Sequence, residues 1–151
     1  MRIVIQRVSR ASVTIGGELH SSISRGLMVL VGVEHGDTAA DAEWLAAKTA
    51  ALRIFPDSEG VMNVGIADIS AAEVLAVSQF TLTASTKKGN RPSYIRAAGH
   101  DLAVPMYEAY CEKLGQLLNR EVKRGIFGAD MQVELINDGP VTIIIDSKLK
   151  E

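Results

Sequence analysis

Four consecutive residues, Ser78-Gln79-Phe80-Thr81, stand near the end of an apolar segment, Val74 to Leu82, that predicts a buried strand. Backbone N–H groups lose their hydrogen-bond partners where a strand ends. Two such groups can hold the charge that develops on a carbonyl oxygen during acyl transfer. The segment is therefore a candidate oxyanion hole; the competing interpretation is a strand end whose polar side chains cap backbone groups.

A second candidate is Asp138-Gly139-Pro140, which lies between two alternating apolar segments, 131–135 and 141–145. Glycine and proline between two strands predict a hairpin turn. A cis Gly-Pro bond costs only about 0.5–1 kcal/mol more than the trans form. Such a bond would present carbonyl oxygens without side-chain bulk, which suits a probe of the space around a small substrate.

A third candidate is a cationic loop. No acidic residue occurs between Val74 and His100, while four cations do: Lys87, Lys88, Arg91 and Arg96. Such a loop suits a nucleic-acid phosphate backbone, and the alternative is a solvated loop that aids solubility. A net charge of −2 argues against a general nucleic-acid coat protein, and an aromatic content of 5% disfavours a base-stacking platform.

Other catalytic groups are sparse. The three histidines, His20, His35 and His100, lack the spacing of zinc ligands, so no metal is expected. No phosphate-binding loop, dinucleotide fingerprint or nucleophile elbow is present, so no cofactor is expected either. Cys111, on a predicted helix beside Tyr110, is interpreted as a buried structural thiol.

Strands and two helices must position these candidates. Gly16-Gly17 predicts a hairpin turn, and the continuous apolar segment Leu27–Val33 predicts a strand covered on both faces. The pattern indicates a mixed α/β fold, a three-layer β/β/α arrangement of curved mixed sheets with two main helices on one side.

The spacing predicts both helices and their buried faces. A capping pair, Thr38 and Asp41, begins a helix that reaches about Arg53. Its buried stripe is expected to be Trp44, Ala47 and Ala51, joined by Leu45 and Leu52. A second helix follows Asp101 with Pro105 in its first turn, and its inner face is expected to contain Met106, Tyr110, Leu114 and Leu117.

Length and composition set the outer limits. A chain of 151 residues with 47% hydrophobic and 23% charged residues predicts one globular domain, residues 1–151, and excludes a disordered chain. One cysteine excludes an internal disulfide. The longest apolar run is far shorter than the roughly 20 residues that span a bilayer, and no signal-peptide core is present, so a cytoplasmic protein is expected.

The chain contains four signature segments: MRIVIQRVSRASVT at residues 1–14, SQFTL at Ser78 to Leu82, GNRPSY at Gly89 to Tyr94, and FGADMQVELINDGPVT at Phe127 to Thr142. Together they resemble the D-aminoacyl-tRNA deacylase family, which removes D-amino acids wrongly attached to tRNA. The segments stand in the family's order, and the resemblance covers essentially the whole chain. The family commonly has Phe where this chain has Tyr94.

The resemblance implies a homodimer with active sites at the subunit interface. One subunit is expected to supply the SQFT segment, and its partner to insert a cis Gly-Pro pair, helped by Arg7, over the pocket. The expected substrates are D-aminoacyl-tRNA and glycyl-tRNA(Ala), with no DNA or membrane partner. The catalytic and selectivity residues so implied are Ser78, Gln79, Phe80, Thr81, Gly139 and Pro140.

The family's chemistry, as the resemblance implies it, needs no side-chain base. N–H groups around Phe80 and Thr81 stabilise the oxyanion, and the ribose 2′-hydroxyl assists the attacking water. Carbonyl groups of Gly139 and Pro140 capture the amino group of a D-residue and exclude an L side chain. Two alternatives stay open: a deacylase with Thr81 as covalent nucleophile, and a non-catalytic tRNA-binding module.

Overall fold

The structure, a computed structural model, describes residues 1–150. It is a mixed α/β fold with two main helices, which confirms the predicted fold class. The helices are α1 (Ala39–Ala51) and α2 (His100–Leu118). The strands are β1 (Arg2–Ile15), β2 (Glu18–Ile23), β3 (Gly26–Gly32), β4 (Phe55–Pro56), β5 (Met62–Val64), β6 (Glu73–Ser78), β7 (Val122–Arg124) and β8 (Gln132–Asp146).

Six strands form one mixed sheet in the order β2-β1-β3-β6-β7, with β8 along the other edge of β1. Strand β1 pairs antiparallel with β2, β3 and β8, whereas β3–β6 and β6–β7 are parallel pairs. The predicted hairpin between β1 and β2 is confirmed, since Gly16 and Gly17 have φ angles of +58° and +81° that favour glycine. Strands β4 and β5 form a separate two-stranded ladder.

Two apolar clusters lie on opposite faces of this sheet. Ile3 and Leu27 belong to the cluster that packs against the helices. Met28 and Leu75 belong to the second cluster, whose fully buried members all come from strands. Because Leu27 and Met28 are neighbours on β3 and enter different clusters, this strand is covered on both faces, as the continuous apolar segment predicted. The sheet therefore curls over a core of its own beneath the helical layer.

The first helix begins at the predicted cap but buries a different stripe. Leu45 is buried as predicted, but the other buried residues include Ala42, Ala46 and Thr49, and the predicted Ala47 and Ala51 are exposed. The predicted Trp44 and Leu52 are only partly buried. Thr49 can be buried because its hydroxyl donates to the Leu45 carbonyl and bonds the Tyr110 hydroxyl at 2.9 Å. Thr49, a polar residue whose hydrogen bonds are satisfied, thus lies on the buried face of the helix, where the apolar pattern had placed Ala47 and Ala51.

The second helix starts at His100, and Pro105 lies inside it rather than in its first turn. Tyr110 and Leu114 are buried as predicted, and Met106 packs against the core. The predicted burial of Leu117 is wrong, because this residue is 46% exposed, and Leu118 is buried in its place.

Neither helix within residues 1–150 combines the length and hydropathy needed to cross a bilayer.

The start of α1 joins distant parts of the chain through Asp41. Its carboxylate accepts hydrogen bonds from the Thr38 N–H and the Lys148 ammonium, both at 2.8 Å. Burial by itself raises the pKa of Asp41, but the bonds from Lys148, Ser147 and Thr38 outweigh it and hold the pKa well below its usual range. The charged carboxylate therefore stabilises the fold.

We expect Asp41→Ala to lower the free energy of unfolding by about 1 kcal/mol at pH 7, because the helix loses the N3 half of its capping box. The folded-state pKa is lowered, so this contribution is present above the ordinary pKa of 3.8 and is lost as pH falls from there through the folded-state pKa. Urea denaturation from pH 7 to about pH 2 measures the change. Glu43→Ala, at an exposed position of the same helix, is the control, and a difference from wild type that does not shrink at low pH would contradict the assignment.

Candidate active site

A cavity of about 570 Å³ opens beside the carboxyl ends of the parallel strands β3 and β6. Val31 and Val77 form part of its floor, and the segment 127–131 and His100 border it from other elements. Ser78, Gln79 and Phe80 also line the cavity, whereas Thr81 does not border it. An apolar cavity with a few polar groups at one edge is typical of a small-substrate site.

The chain turns at this edge earlier than predicted. Strand β6 ends at Ser78, and Phe80–Thr83 form a single turn of 3₁₀ helix, so the strand predicted to Leu82 is wrong. The Gln79 N–H still donates to the Val31 carbonyl at 2.7 Å and completes the ladder with β3. A Cβ at Gly32 would lie 2.9 Å from that of Leu82, so only glycine at the end of β3 lets the turn pack so closely.

The turn leaves two backbone donors free. Within residues 1–150, the N–H groups of Phe80 and Thr81 donate to no protein acceptor. They are the first N–H groups of a helical turn, which have no partner inside the turn. The Gln79 amide donates to the Thr81 hydroxyl oxygen at 2.6 Å and braces the turn. This segment therefore combines two unpaired backbone donors with a side chain that braces the turn, and it stays a candidate oxyanion hole.

An aromatic contact connects the turn to the cationic loop. The Phe80 ring, 55% exposed, packs edge-on against Tyr94 with ring centroids 5.0 Å apart. Such pairs stabilise one arrangement of both rings by about 0.5–1.5 kcal/mol. Arg96 of the same loop donates to the Thr83 carbonyl at 3.1 Å. The loop and the turn are thus joined at two points.

The segment Asp138-Gly139-Pro140 is not the predicted hairpin turn. Strand β8 continues through it, and both halves of β8 pair with β1. Thr142 lies opposite Gln6 and Asn137 lies opposite Val8, so residues 138–141 together stand opposite one residue of β1. The prediction failed because two strands that pair antiparallel with the same strand must run in one direction, which a hairpin cannot provide.

This extruded segment, residues 138–141, is the Gly-Pro bulge. Gly139 has a φ of +137°, and its peptide bond to Pro140 is cis. Both residues are exposed, and neither lines the cavity of its own chain. One copy of the chain therefore does not bring the bulge and the SQFT turn together.

Arg7, which the resemblance placed beside a partner's Gly-Pro loop, holds the bulge of its own chain. The buried guanidinium donates to the Asp138 carbonyl at 3.0 Å and to the Ile54 carbonyl at 2.6 Å. It also lies 3.4 Å from the Asp138 carboxylate. The side chain thereby joins the bulge to the loop that follows α1.

The predicted cations divide into two groups. Lys87, Lys88 and Arg91 lie at the exposed tip of the loop, which the paired residues Ser85 and Ser93 close, and within residues 1–150 none forms an ion pair. Arg96 lies 3.5 Å from Glu34 in addition to its bond to the turn. The three tip residues are therefore available to an external anion, whereas Arg96 also contacts Thr83 and Glu34 and so helps to hold the loop.

Two further residues, His100 and Phe127, border the cavity although the sequence indicated no role for them there. Their rings pack edge-to-face with centroids 5.2 Å apart and line the cavity wall. The signal that could have identified Phe127 was its place at the head of the FGADM segment. Within residues 1–150 no three potential metal ligands converge. Cys111 is buried as predicted, and burial raises the pKa of its thiol to about 12.

The geometry of the bulge predicts a cost for any side chain at position 139. In Gly139→Ala the new Cβ would lie 2.8 Å from Val141 Cγ2 and 3.0 Å from Arg7 Nη2. Gly89→Ala is the matched control, because Gly89 also has a positive φ, +113°, but meets nothing within 4 Å. We expect Gly139→Ala to lower the free energy of unfolding by about 1–3 kcal/mol, and by more than the control, since crowding adds to backbone strain. Thermal denaturation measures both, and equal losses would show that the bulge relaxes freely.

Comparisons with known proteins agree with this architecture. A D-aminoacyl-tRNA deacylase of Parabacteroides distasonis is 60% identical over 151 residues, and one of Porphyromonas gingivalis is 57% identical, with 100% of each chain covered. The solved structure of a c-Myc DNA Unwinding Element Binding Protein has a TM-score of 0.90 and 42% identity, covering 97% of this chain and 98% of its own.

A more distant solved structure shows the same fold. It comes from work described as "Structural Analysis of a probable eukaryotic D-amino acid tRNA deacylase", with a TM-score of 0.81, 15% identity and coverage of 95% and 97%. The family model described as D-Tyr-tRNA(Tyr) deacylase matches residues 4–146. The resemblance read from the four sequence segments is thereby confirmed: the chain belongs to the D-Tyr-tRNA(Tyr) deacylase family.

Proposed function

We propose that this protein is a cytoplasmic editing hydrolase that cleaves the ester between a D-amino acid and tRNA and spares the L-aminoacyl ester. Membership of the deacylase family supports the reaction class. The observation that carries the proposal is a pair of free N–H groups, one on Phe80, which lines the apolar cavity, and one on Thr81, the next residue in the chain. Such donors recognise a carbonyl oxygen that becomes negatively charged.

In the proposed reaction the oxygen of a water forms a bond to the ester carbonyl carbon. The two N–H groups stabilise the resulting oxyanion, and loss of one such donor typically costs about 100- to 1000-fold in turnover. The bond to the ribose 3′ oxygen then breaks, and the neighbouring 2′-hydroxyl relays the proton of the water to that leaving oxygen. The products are a free amino acid and intact tRNA.

Chiral selection is assigned to a second copy of the chain. The Gly-Pro bulge is exposed, is held from behind by Arg7 and does not reach its own cavity, so a homodimer could insert it over the cavity of the partner. Its carbonyl groups would bind the amino group of a D-residue and collide with an L side chain. Achiral glycine escapes this exclusion, so glycyl-tRNA(Ala) would also be a substrate.

The covalent alternative, with Thr81 as the nucleophile, is less well supported. A hydroxyl nucleophile needs a neighbouring base that takes its proton. The group that contacts the Thr81 hydroxyl oxygen is the Gln79 amide, a hydrogen-bond donor. An amide accepts no proton at neutral pH, so this neighbour braces Thr81 without activating it.

A non-catalytic tRNA-binding module remains the alternative from another class. It would use the exposed tip residues Lys87, Lys88 and Arg91 and would bind tRNA without releasing an amino acid. The free donors at the cavity edge argue against it, because a pure binder has no use for them.

Incubation with D- and L-aminoacyl-tRNA tests the proposed reaction directly. We expect rapid loss of the D-ester, slow loss of the L-ester, and loss of the glycyl ester at a rate nearer that of the D-ester. Equal rates on the two enantiomers would overturn chiral rejection, and release from neither would favour the binding module.

Two substitutions separate main-chain from side-chain chemistry. We expect Thr81→Ala to lower kcat/KM by about tenfold or less, since it removes one brace of the turn and keeps the N–H donor. Gly139→Ala, which displaces the bulge, should lower the ratio of kcat/KM for D- and L-substrates by more than about tenfold, a larger effect than that of Thr81→Ala. Ser58→Ala is the control, because Ser58 lies in an exposed turn between β4 and β5 and does not line the cavity. An acyl group trapped on Thr81 would establish the covalent mechanism instead.

The loop tip gives a separate prediction on salt dependence. Each cation that contacts a phosphate contributes about 0.7–0.9 to the slope of log binding constant against log salt. We expect Lys88→Gln to reduce that slope for tRNA by about this amount, whereas Lys113→Gln on α2 should leave it unchanged.

A DNA duplex of similar length is the competitor, because one structural relative is named for binding DNA. An unchanged slope, or equal competition by the duplex, would contradict tRNA recognition by the tip.

A further inference from the structure

The Gly-Pro bulge is closed by one side chain, Asn137. Its Oδ1 accepts the N–H of Val141 at 2.7 Å, and its Nδ2 donates to the Val141 carbonyl at 3.3 Å. The same Nδ2 donates to Thr142 Oγ1 at 3.1 Å. The amide thus bonds the donor and the acceptor of a residue on the far side of the bulge, as a neighbouring strand would in a regular ladder.

A second amide supports this closure from β1. Gln6 Nε2 donates to Thr142 Oγ1 at 3.4 Å, so that hydroxyl accepts bonds from side chains of two strands. At the other end of the bulge, Arg7 bonds the Asp138 carbonyl. Both ends are therefore anchored, while Gly139 and Pro140 between them make no polar contact with the described residues and face outward.

An asparagine suits this position for a chemical reason. An aspartate would keep the acceptor for the Val141 N–H but would place a second oxygen against the Val141 carbonyl, where only a donor is favourable. An alanine would remove the side-chain bonds to both backbone groups of Val141. The bidentate contact therefore depends on the two different ends of an amide.

We propose that Asn137 is a positioning residue for substrate selection: its side chain sets the height and direction of the Gly139-Pro140 carbonyl groups and thereby the discrimination between D- and L-aminoacyl esters. This inference rests on the proposed function. It assigns Asn137 no contact with substrate; its effect passes through the main chain that it holds.

The test compares Asn137→Ala, Asn137→Asp and Gln132→Ala, an exposed side chain on the same strand that serves as the control. Amide hydrogen exchange at Val141, followed by NMR, reports the anchor without any substrate. The ratio of kcat/KM for D- and L-aminoacyl-tRNA reports selectivity. Asn137→Ala should accelerate exchange at Val141 and lower the D-to-L ratio, each by about tenfold, the equivalent of one hydrogen bond. Asn137→Asp should keep more of the protection at Val141 and still lower the ratio.

Each result decides between roles. Unchanged exchange at Val141 in Asn137→Ala would overturn the anchor itself. Faster exchange with an unchanged D-to-L ratio would show that Asn137 has a structural role only, because loss of folded protein lowers both rates and leaves their ratio intact. If the wild-type protein itself fails to discriminate, the proposed function fails and the selectivity role fails with it, while the exchange result still reports on the anchor.

Discussion

The pairing of β8 with β1 is the constraint on which the candidate site depends. Both halves of β8 run antiparallel to β1, and the ladder is interrupted twice, at Ser9 of β1 and opposite Arg7. The second interruption forces residues 138–141 out of the sheet, where side chains of Arg7 and Asn137 bond the backbone. Paired strand on each side of the bulge thus holds an irregular segment in a defined place.

The second half of the site follows from a similar compromise on β6. This strand ends beside β3, and the close approach that Gly32 permits lets the chain enter a helical turn at once. The abrupt change leaves the N–H groups of Phe80 and Thr81 without partners. Unpaired backbone donors are usually a cost to stability. Here Phe80 lines a cavity and Thr81 follows it, so a carbonyl oxygen bound there could accept from these donors.

Local patterns predicted the parts of the fold that depend on neighbouring residues. The turn at Gly16-Gly17, the doubly covered strand β3 and the cap at Thr38 were predicted because each is determined within a few residues. The stripe of α1 was missed because Thr49 is buried through a hydroxyl bond to Tyr110, which is distant in sequence. The bulge was interpreted as a hairpin because a bulge and a hairpin look alike in the local sequence. Only the pairing of both halves of β8 with β1, which is distant in sequence, distinguishes them.

The proposed use of main-chain N–H groups in catalysis has an evolutionary consequence. At positions 80 and 81, nineteen of the twenty amino acids supply an N–H, and proline alone removes it. Substitutions at these positions can therefore alter the shape of the cavity and the stability of the turn while the backbone N–H donor is kept. Selection would then act mainly on whatever shapes the turn, such as Gly32, more than on the donor-bearing residues themselves.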